Sequence, residues 1–367
     1  MKSEFVGLIT GGRWHLEAYQ ILKKNKKKII VFDDSKNFYL KKFLKKTDAI
    51  FKIAEIKKIK KSLNNNIFFW SPINDYGSLI ADRFNHPTYK NKIRTPINLK
   101  KINKEIIKKK LLLKRIKVPK KIKPEEYGLL KKIDGSGSRE IYLTKKNKKN
   151  FIKEEYIKGI EISVETISYN YNHTIIATSL RILANYKSAE CILLLEMKKN
   201  YDSILYKKIK KILDALNIIN GACHIELILN DKNELIPIDC NLRAGGSAIS
   251  SIFLKKVIKI NLLELDYLSL TGERPLRIGK LNGYGAIFYY SSINKNIKKN
   301  KLSKNCYHEN LKGNDTKNKN NDLGRKSLII IENSKKEKFF KEFKKYIKED
   351  NYNLIIKNWQ LLNNLLF

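Results

Sequence analysis

The fold class predicted is an α/β amino-terminal domain followed by a larger α+β unit, and three observations carry it. Between residues 5 and 77, short apolar runs alternate with helix-like stretches. Each of those runs closes on glycine or on polar residues. Further along, apolar runs come in pairs separated by short glycine or polar loops, which is the spacing of antiparallel hairpins. The first pattern belongs to a doubly wound domain with a parallel sheet. Ligands of such domains sit at the carboxyl ends of the strands.

Taken in order, residues 5–10 (Phe-Val-Gly-Leu-Ile-Thr) read as a buried strand ending in Gly11-Gly12. A helical stretch follows at 14–24, then a strand at 28–32 closing on Asp33-Asp34. The strand Ile67-Phe68-Phe69-Trp70 leads into Ser71-Pro72-Ile73-Asn74-Asp75-Tyr76-Gly77. Gly11-Gly12 lacks the remaining spacing of G-x-G-x-x-G, so a dinucleotide is a weak reading even with Asp33 placed for a ribose. The first domain boundary is expected near Thr95-Pro96, giving a domain over 1–95 and a second over 96–295. Residues 103–117 are a basic helical stretch stopped by Val118-Pro119. A small subdomain is expected over about 119–185. The Lys- and Asn-rich run 296–323 is expected to be a loop. The last segment, 324–367, reads as a strand–helix extension: Leu328-Ile329-Ile330-Ile331, then an amphipathic helix at 335–349. Glu337 with Lys341, and Lys345 with Glu349, have i,i+4 spacing on that helix.

The formal charge of +40 on 367 residues would by itself suggest nucleic acid or an anionic membrane. Only about ten of the 76 basic residues are Arg, the residue suited to reading bases and phosphates. The lysines are dispersed along the whole chain among Asn and Ile, as an AT-rich coding bias would leave them. A nucleic-acid partner is therefore not expected. Cys191, Cys223, Cys240 and Cys306 have neither C-x-x-C spacing nor clustered His, and read as free thiols of a reducing cytosol. No run has the length of a membrane span and the start has no secretory h-region, so a cytoplasmic protein is expected.

Residues 224–247 are the most informative stretch. Apolar runs at 225–229 and 235–238 flank Asp231-Lys232-Asn233-Glu234, which is hairpin-loop chemistry. With those four residues as the loop, 230 pairs with 235 and 226 lies opposite 239, side chains about 5 Å apart. Asn241 shares the face of Asp239, two residues on. Glu226, Asp239 and Asn241 thus make an oxygen-only site suited to Mg²⁺ (or Mn²⁺). Arg243, next on that face, adds a guanidinium suited to a phosphate. His224 falls on the same face, as a second hydrogen-bond partner or simply a packed strand histidine.

Residues 129–142 place Gly135-Ser136-Gly137-Ser138 between two apolar strands, with Lys131 on the first of them. Such a turn can aim backbone N–H groups at an anion, or be only a flexible hairpin tip. It is not a Walker A loop. Residues 151–165 read as strand, glycine turn, strand, with Glu161, Ser163 and Glu165 on one face.

In this order the motifs resemble the ATP-grasp superfamily, in particular the large subunit of carbamoyl-phosphate synthetase and stand-alone carboxylate–amine ligases. The resemblance covers about residues 5–295. It rests on Asn103-Lys104 before Val118-Pro119, on Lys131 to Arg139 with its Gly-Ser-Gly-Ser core, on Glu154-Glu155-Tyr156-Ile157-Lys158-Gly159-Ile160-Glu161, and on Glu226 with Asp239-Cys240-Asn241-Leu242-Arg243. It implies a Rossmann-like pre-ATP-grasp domain followed by a two-subdomain ATP-grasp fold. It further implies that Lys104 and Lys131 hold the α- and β-phosphates of ATP under the 135–138 flap. Backbone groups at Glu154 and Ile157, beside Glu155, meet the adenine edge, and Glu161 takes the ribose. Glu226, Asp239 and Asn241 hold Mg²⁺, while Arg243 and Arg181 neutralise the transferred phosphoryl group. Asp239 stands where the family has Glu, and Lys132 and Leu242 where it has Pro.

The activity so implied is ligation of a small carboxylic acid to an amine (or thiol) through an acyl phosphate, releasing ADP and phosphate. Carbamoyl-phosphate-type chemistry is the alternative, set back because there is one ATP-binding unit and no glutaminase. A non-catalytic ATP-binding protein is a further one, which the intact acids argue against. No Ser-His-Asp or Cys-His constellation is evident. Asn74, Asp75 and Trp70 are candidates for the acceptor pocket, and family look-alikes are commonly homodimers.

Overall fold

The structure, a computed structural model, describes residues 4–85, 93–95, 104–133, 140–185, 188–196, 202–275, 283–290, 306–311 and 327–367. The chain opens with β1 (Phe5–Ile9), a 3₁₀ turn at Arg13–His15 and α1 (Leu16–Lys24). Then come β2 (Lys28–Phe32), β3 (Ala49–Phe51), α2 (Ile56–Ser62), β4 (Ile67–Trp70) and α3 (Asp75–Asn85). The four strands form a parallel sheet in the order β3-β2-β1-β4, with Val6 beside Ile29 on one side and Phe68 on the other. Both central strands are apolar and buried on both faces, as a parallel sheet covered by helices requires. Asp33 is spent locally. It accepts the N–H groups of Gly11 (2.7 Å) and Ser35 (2.8 Å), closing the strand ends instead of presenting a free carboxylate for a ribose.

Helix α4 (Lys104–Leu113) leads to a three-stranded sheet, β6-β5-β7, of β5 (Gly128–Lys132), β6 (Ile141–Thr144) and β7 (Phe151–Glu154). The remaining elements are β8 (Ile160–Tyr169), β9 (Asn172–Asn185), β10 (Ser188–Leu194), α5 (Ile204–Ala215), β11 (Gly221–Leu229) and β12 (Leu235–Asn241). They continue with α6 (Leu254–Val257), α7 (Leu262–Thr271), β13 (Tyr284–Tyr290), β14 (Cys306–Asn310), β15 (Ser327–Asn333), α8 (Lys336–Phe343) and α9 (Glu349–Leu366). Eight of these strands form one antiparallel sheet, β12-β11-β8-β9-β10-β13-β15-β14.

Alternation along the strands gives this sheet two faces. Val164, Leu180, Leu193, Ile225, Leu227 and Phe288 face one core, covered by Ile209 of α5, Phe339 and Phe343 of α8, and Trp359 of α9. Ile167, Ala177, Ile192, Ala222 and Ile287 face the other, which is shared with Leu22, Trp70 and α7 of the amino-terminal side. Arg94 joins the two parts. Fully buried, it forks onto Asp266 (2.7 and 2.6 Å) and donates to Ser78 Oγ (2.9 Å), while Asp266 also accepts Trp70 Nε1 and the Ala222 N–H, both at 2.7 Å.

Two expectations for the carboxyl-terminal third change. Cys306–Asn310, inside the run expected to be a loop, is an edge strand paired with β15, and β15 in turn pairs with β13 from Asn333 to Ser327. Residues 327–333 therefore complete the main sheet. The expected helix 335–349 stops at Phe343, where a 3₁₀ turn at Lys344–Tyr346 and an extended Ile347 intervene before α9. Lys345 and Glu349 do not share a helix face. Lys345 turns back to Glu342 (2.7 Å) and Lys344 takes Glu349 (2.8 Å). The break lets Phe343 and Trp359 enter one core.

Candidate active site

Where the second apolar core ends, the same face of the sheet becomes polar. Asp239 and Asn241 on β12, His224 and Glu226 on β11, Glu161, Ser163 and Glu165 on β8, and Arg181 on β9 are neighbours across four adjacent strands. The register is His224 with Asn241 and Glu165, Glu226 with Asp239 and Ser163, and Ile228 with Glu161.

The expected opposition of Glu226 and Asp239 is present, but it is reached differently. The turn is one residue tighter: Asn233 donates to the Asn230 carbonyl (3.0 Å), with φ of 56°, and strand pairing begins at Leu229 with Leu235. That slip alone would turn β12 over and send its acids to the wrong face. A bulge at Ile238, between the Leu227–Pro237 and Glu226–Asp239 pairs, restores the parity. Pro237 has no N–H for the ladder, which suits the neighbourhood of a bulge. The Ile238 carbonyl accepts Lys131 Nζ (3.3 Å), so the irregularity ties the hairpin to the three-stranded sheet.

Each acid of the site is paired. Glu226 Oε1 takes Arg181 Nη1 and lies 3.2 Å from His224 Nε2. Arg181 Nε is 2.7 Å from Glu161. Asp239 pairs with Lys104 (2.8 Å). Glu154 lies between Lys108, one helical turn beyond Lys104, and Lys131 at 3.4 Å. His224 Nδ1 meets Glu165 at 2.5 Å, and the other Glu165 oxygen accepts the Gly245 N–H (3.0 Å). Arg243 forks onto Asp75 at 2.8 and 2.9 Å.

The charges follow from this pairing. Burial opposes ionisation of Glu226, but Arg181 and then His224 hold its carboxyl well below the usual range. Burial likewise works against Asp239, and Lys104 draws it down. Glu161 moves up, because burial outweighs Arg181 and Glu226 adds repulsion. Burial would lower His224, but Glu165, then Glu226, push it up to about 9, so the ring is an imidazolium at neutral pH. Six carboxylates (Asp75, Glu154, Glu161, Glu165, Glu226, Asp239) thus meet six cations (Lys104, Lys108, Lys131, Arg181, His224, Arg243).

Gly135, Ser136, Gly137 and Ser138 lie outside the described residues. The strands that carry them pair as a hairpin, Lys131 with Ile141. Glu155 is clipped to Lys120 through both its N–H and its carboxylate (2.9 Å each). Ile157 follows with no backbone partner among the described residues. Gly159 runs against β11, where a Cβ would sit 2.2 Å from the Leu229 carbonyl oxygen. Lys108 and the second role of Glu165 were missed from the sequence. The signal for Lys108 was its i+4 position from Lys104.

The donor set fits a hard divalent cation. Among the described residues no three Asp, Glu, His or Cys side chains are arranged to hold a metal by themselves. Mg²⁺ rarely needs that many, since phosphate oxygens and water complete its shell. Asn241 presents its Nδ2 to Asp239 (3.5 Å) and its Oδ1 to Arg243 (3.4 Å), and a half-turn of the amide would bring the oxygen to the acids.

A Ser-His-Asp chain does occur. Ser168 Oγ, His173 and Asp214 are linked at 2.8 and 3.2 Å. Ser168 is fully buried, so this chain fastens β8, β9 and α5 together and offers no nucleophile.

Paired carboxylates of the large sheet, with Glu154 of the small sheet, here meet Lys104 and Lys108 of α4 and Lys131 of the small sheet, a set of groups suited to phosphate and a divalent cation. Residues 94–247 match the family described as the ATP-grasp domain, and the fold of the chain is that of the ATP-grasp superfamily. No curated protein sequence matches the chain. Among solved structures it is similar to L-amino acid ligase from Bacillus licheniformis, with a TM-score of 0.70, 12% identity and coverage of 92% of this chain and 95% of that one. It is also similar to phosphoribosylglycinamide synthetase from Anaerococcus prevotii (0.67, 16%, 97% and 98%). A third is N5-carboxyaminoimidazole synthetase from Staphylococcus aureus, complexed with ADP (0.70, 14%, 93% and 96%). At these identities the likeness establishes the fold. Among the described residues no helix is long and apolar enough to cross a membrane.

Proposed function

We propose that the protein is an ATP-dependent ligase that activates a small carboxylic acid as an acyl phosphate and passes the acyl group to an amine. The observation that carries this reading is the opposition of Glu226 and Asp239, each paired with a cation, Arg181 or Lys104, that a phosphate could claim. Nucleotide and metal would enter by exchange of partners. Phosphate oxygens would take over Lys104, Lys131 and Arg181, and Glu226 and Asp239, with Asn241, would then hold Mg²⁺. When bound, that ion screens charge on the phosphoryl oxygens.

The remaining assignments carry over from the family resemblance: the 135–138 segment, outside the described residues, would cover the phosphates, backbone at Glu154 and Ile157 beside Glu155 would meet adenine, and Glu161 would take the ribose. The acceptor carboxylate attacks the γ-phosphorus as the bond to the β-phosphate oxygen breaks, and ADP leaves. Arg181 and Arg243 supply fixed positive charge to the transferred group. The amine then attacks the acyl carbon and phosphate departs.

The test is a panel of amino acids and other small acids with amines, ATP and Mg²⁺, scored for ADP and orthophosphate. AMP with pyrophosphate would contradict the mechanism. A second reading, carboxyphosphate formation, is favoured by the likeness to N5-carboxyaminoimidazole synthetase. ADP release that depends on bicarbonate and on no other acid would select it.

A further inference from the structure

Arg243 is more tightly bound to the amino-terminal domain than a phosphate ligand needs to be. Its Nε and Nη2 take both Asp75 oxygens, Nη1 donates to the Ala244 carbonyl (2.9 Å), and Nη2 also reaches Asn241 Oδ1. Of five guanidinium N–H groups, one on Nη1 remains. Asp75 is itself fixed, at the start of α3, where Asn74 Oδ1 caps the Gly77 N–H (2.7 Å). The backbone on either side of Arg243 is also clipped to the same segment. Ser78 Oγ donates to the Leu242 carbonyl (2.8 Å), and the Ala244 N–H donates to the Pro72 carbonyl (2.9 Å).

We propose that Asp75 is a positioning residue through which the amino-terminal domain sets the metal affinity of the β11–β12 hairpin. It fixes the Arg243 guanidinium beside Asn241 and offsets its charge there. Without its negative charge, Arg243 would carry an uncompensated positive charge next to two of the three metal-binding side chains, Asn241 and Asp239. Metal would be repelled from that end of the site. This inference rests on the metal and nucleotide reading above.

The experiment is a titration of the full-length protein with Mn²⁺, followed by electron paramagnetic resonance, in the presence of a non-hydrolysable ATP analogue. Asp75→Asn is expected to weaken Mn²⁺ binding about tenfold, which is 1.4 kcal/mol. In an Arg243→Met background the same substitution should change Mn²⁺ affinity less than about twofold, because Asp75 acts through that guanidinium. A purely structural role would lower the melting temperature and leave the affinity of the folded protein unchanged, which overturns the proposal. So would a full effect of Asp75→Asn in the Arg243→Met background. Should Asp75→Asn not fold, Asp75→Glu keeps the charge but displaces the guanidinium by a methylene. A several-fold loss of affinity supports the proposal and wild-type affinity refutes it. If the wild-type protein binds no Mn²⁺ with nucleotide, the functional reading falls and this inference with it. Equal binding by wild type and variant removes this inference alone.

Discussion

Replacing Arg181 by Met tests the idea that site cations are stand-ins for ligands. Arg181 is 9% exposed and lies between Glu161 and Glu226, whose side chains are 11% and 16% exposed. Met retains the length of the stem and removes the charge, leaving two largely buried carboxylates as repelling neighbours. Breaking a buried pair by deleting one partner costs about 3–5 kcal/mol, and because His224 still faces Glu226 the lower end is expected here. The loss should depend on pH in a defined direction. Glu161, already raised by burial, loses the Arg181 that draws it down and moves further up, so the protein is least affected at low pH and loses stability as pH rises through the folded pKa of Glu161. Millimolar Mg²⁺ without nucleotide should stabilise the variant more than the wild type, whose carboxylates are already occupied. Urea denaturation at about pH 5.5 and about pH 8, with Mg²⁺ or with chelator, measures all three effects. A variant as stable as the wild type at both pH values, or one indifferent to Mg²⁺, would refute the reasoning.

Other outcomes follow from the same geometry. Lys131→Ala and Glu226→Ala should each lower turnover at least about a hundredfold, roughly 3 kcal/mol of barrier, in the ADP-release assay; near-normal rates in both would end the ligase assignment. His224, raised from 6.5 to about 9 chiefly by Glu165 against the effect of burial, contributes stability that is complete below about pH 6.5 and is lost as pH rises through 9. The change is about 3 kcal/mol, and a urea series across that window should flatten in His224→Gln. Gly245→Ala would place a Cβ 2.2 Å from Glu165 Oε1, so the carboxylate must leave His224. Weaker metal binding at near-native melting temperature is expected, and unchanged Mn²⁺ affinity would count against the Glu165–His224–Glu226 chain.

The elements nearest the site were legible because strand periodicity is a local property. Parity alone brought Glu226, Asp239 and Asn241 to one face, and it placed Glu161 and Glu165 on the matching face of the next strand. The path was not legible. A tighter turn at Asn230–Asn233 and a bulge at Ile238 cancel one another, and hairpin-loop chemistry cannot distinguish that from a regular hairpin. The carboxyl-terminal helices failed for a related reason. Charge pairs at i,i+4 spacing describe a helix face only while the helix continues, and Ile347 interrupts it.

What pattern reading could not reach is the identity of the counter-ions. Motif order sorts Lys104 and Arg181 with phosphate ligands and Glu226 and Asp239 with metal ligands, as though the two sets waited independently. In the folded chain they neutralise each other across more than a hundred residues of sequence for Lys104 and Asp239, and across the β9–β11 span for Arg181 and Glu226. A buried acid must be paired or protonated, so a site that binds cation and anion together can remain ionised without either only if its own groups do the pairing. Metal alone would leave Lys104 and Arg181 without partners, and nucleotide alone would leave the two acids so. Each ligand therefore lowers the cost of admitting the other. On this argument the affinity of the wild-type protein for nucleotide should rise sharply with Mg²⁺, and calorimetric titrations giving the same nucleotide affinity with Mg²⁺ and with chelator would break it.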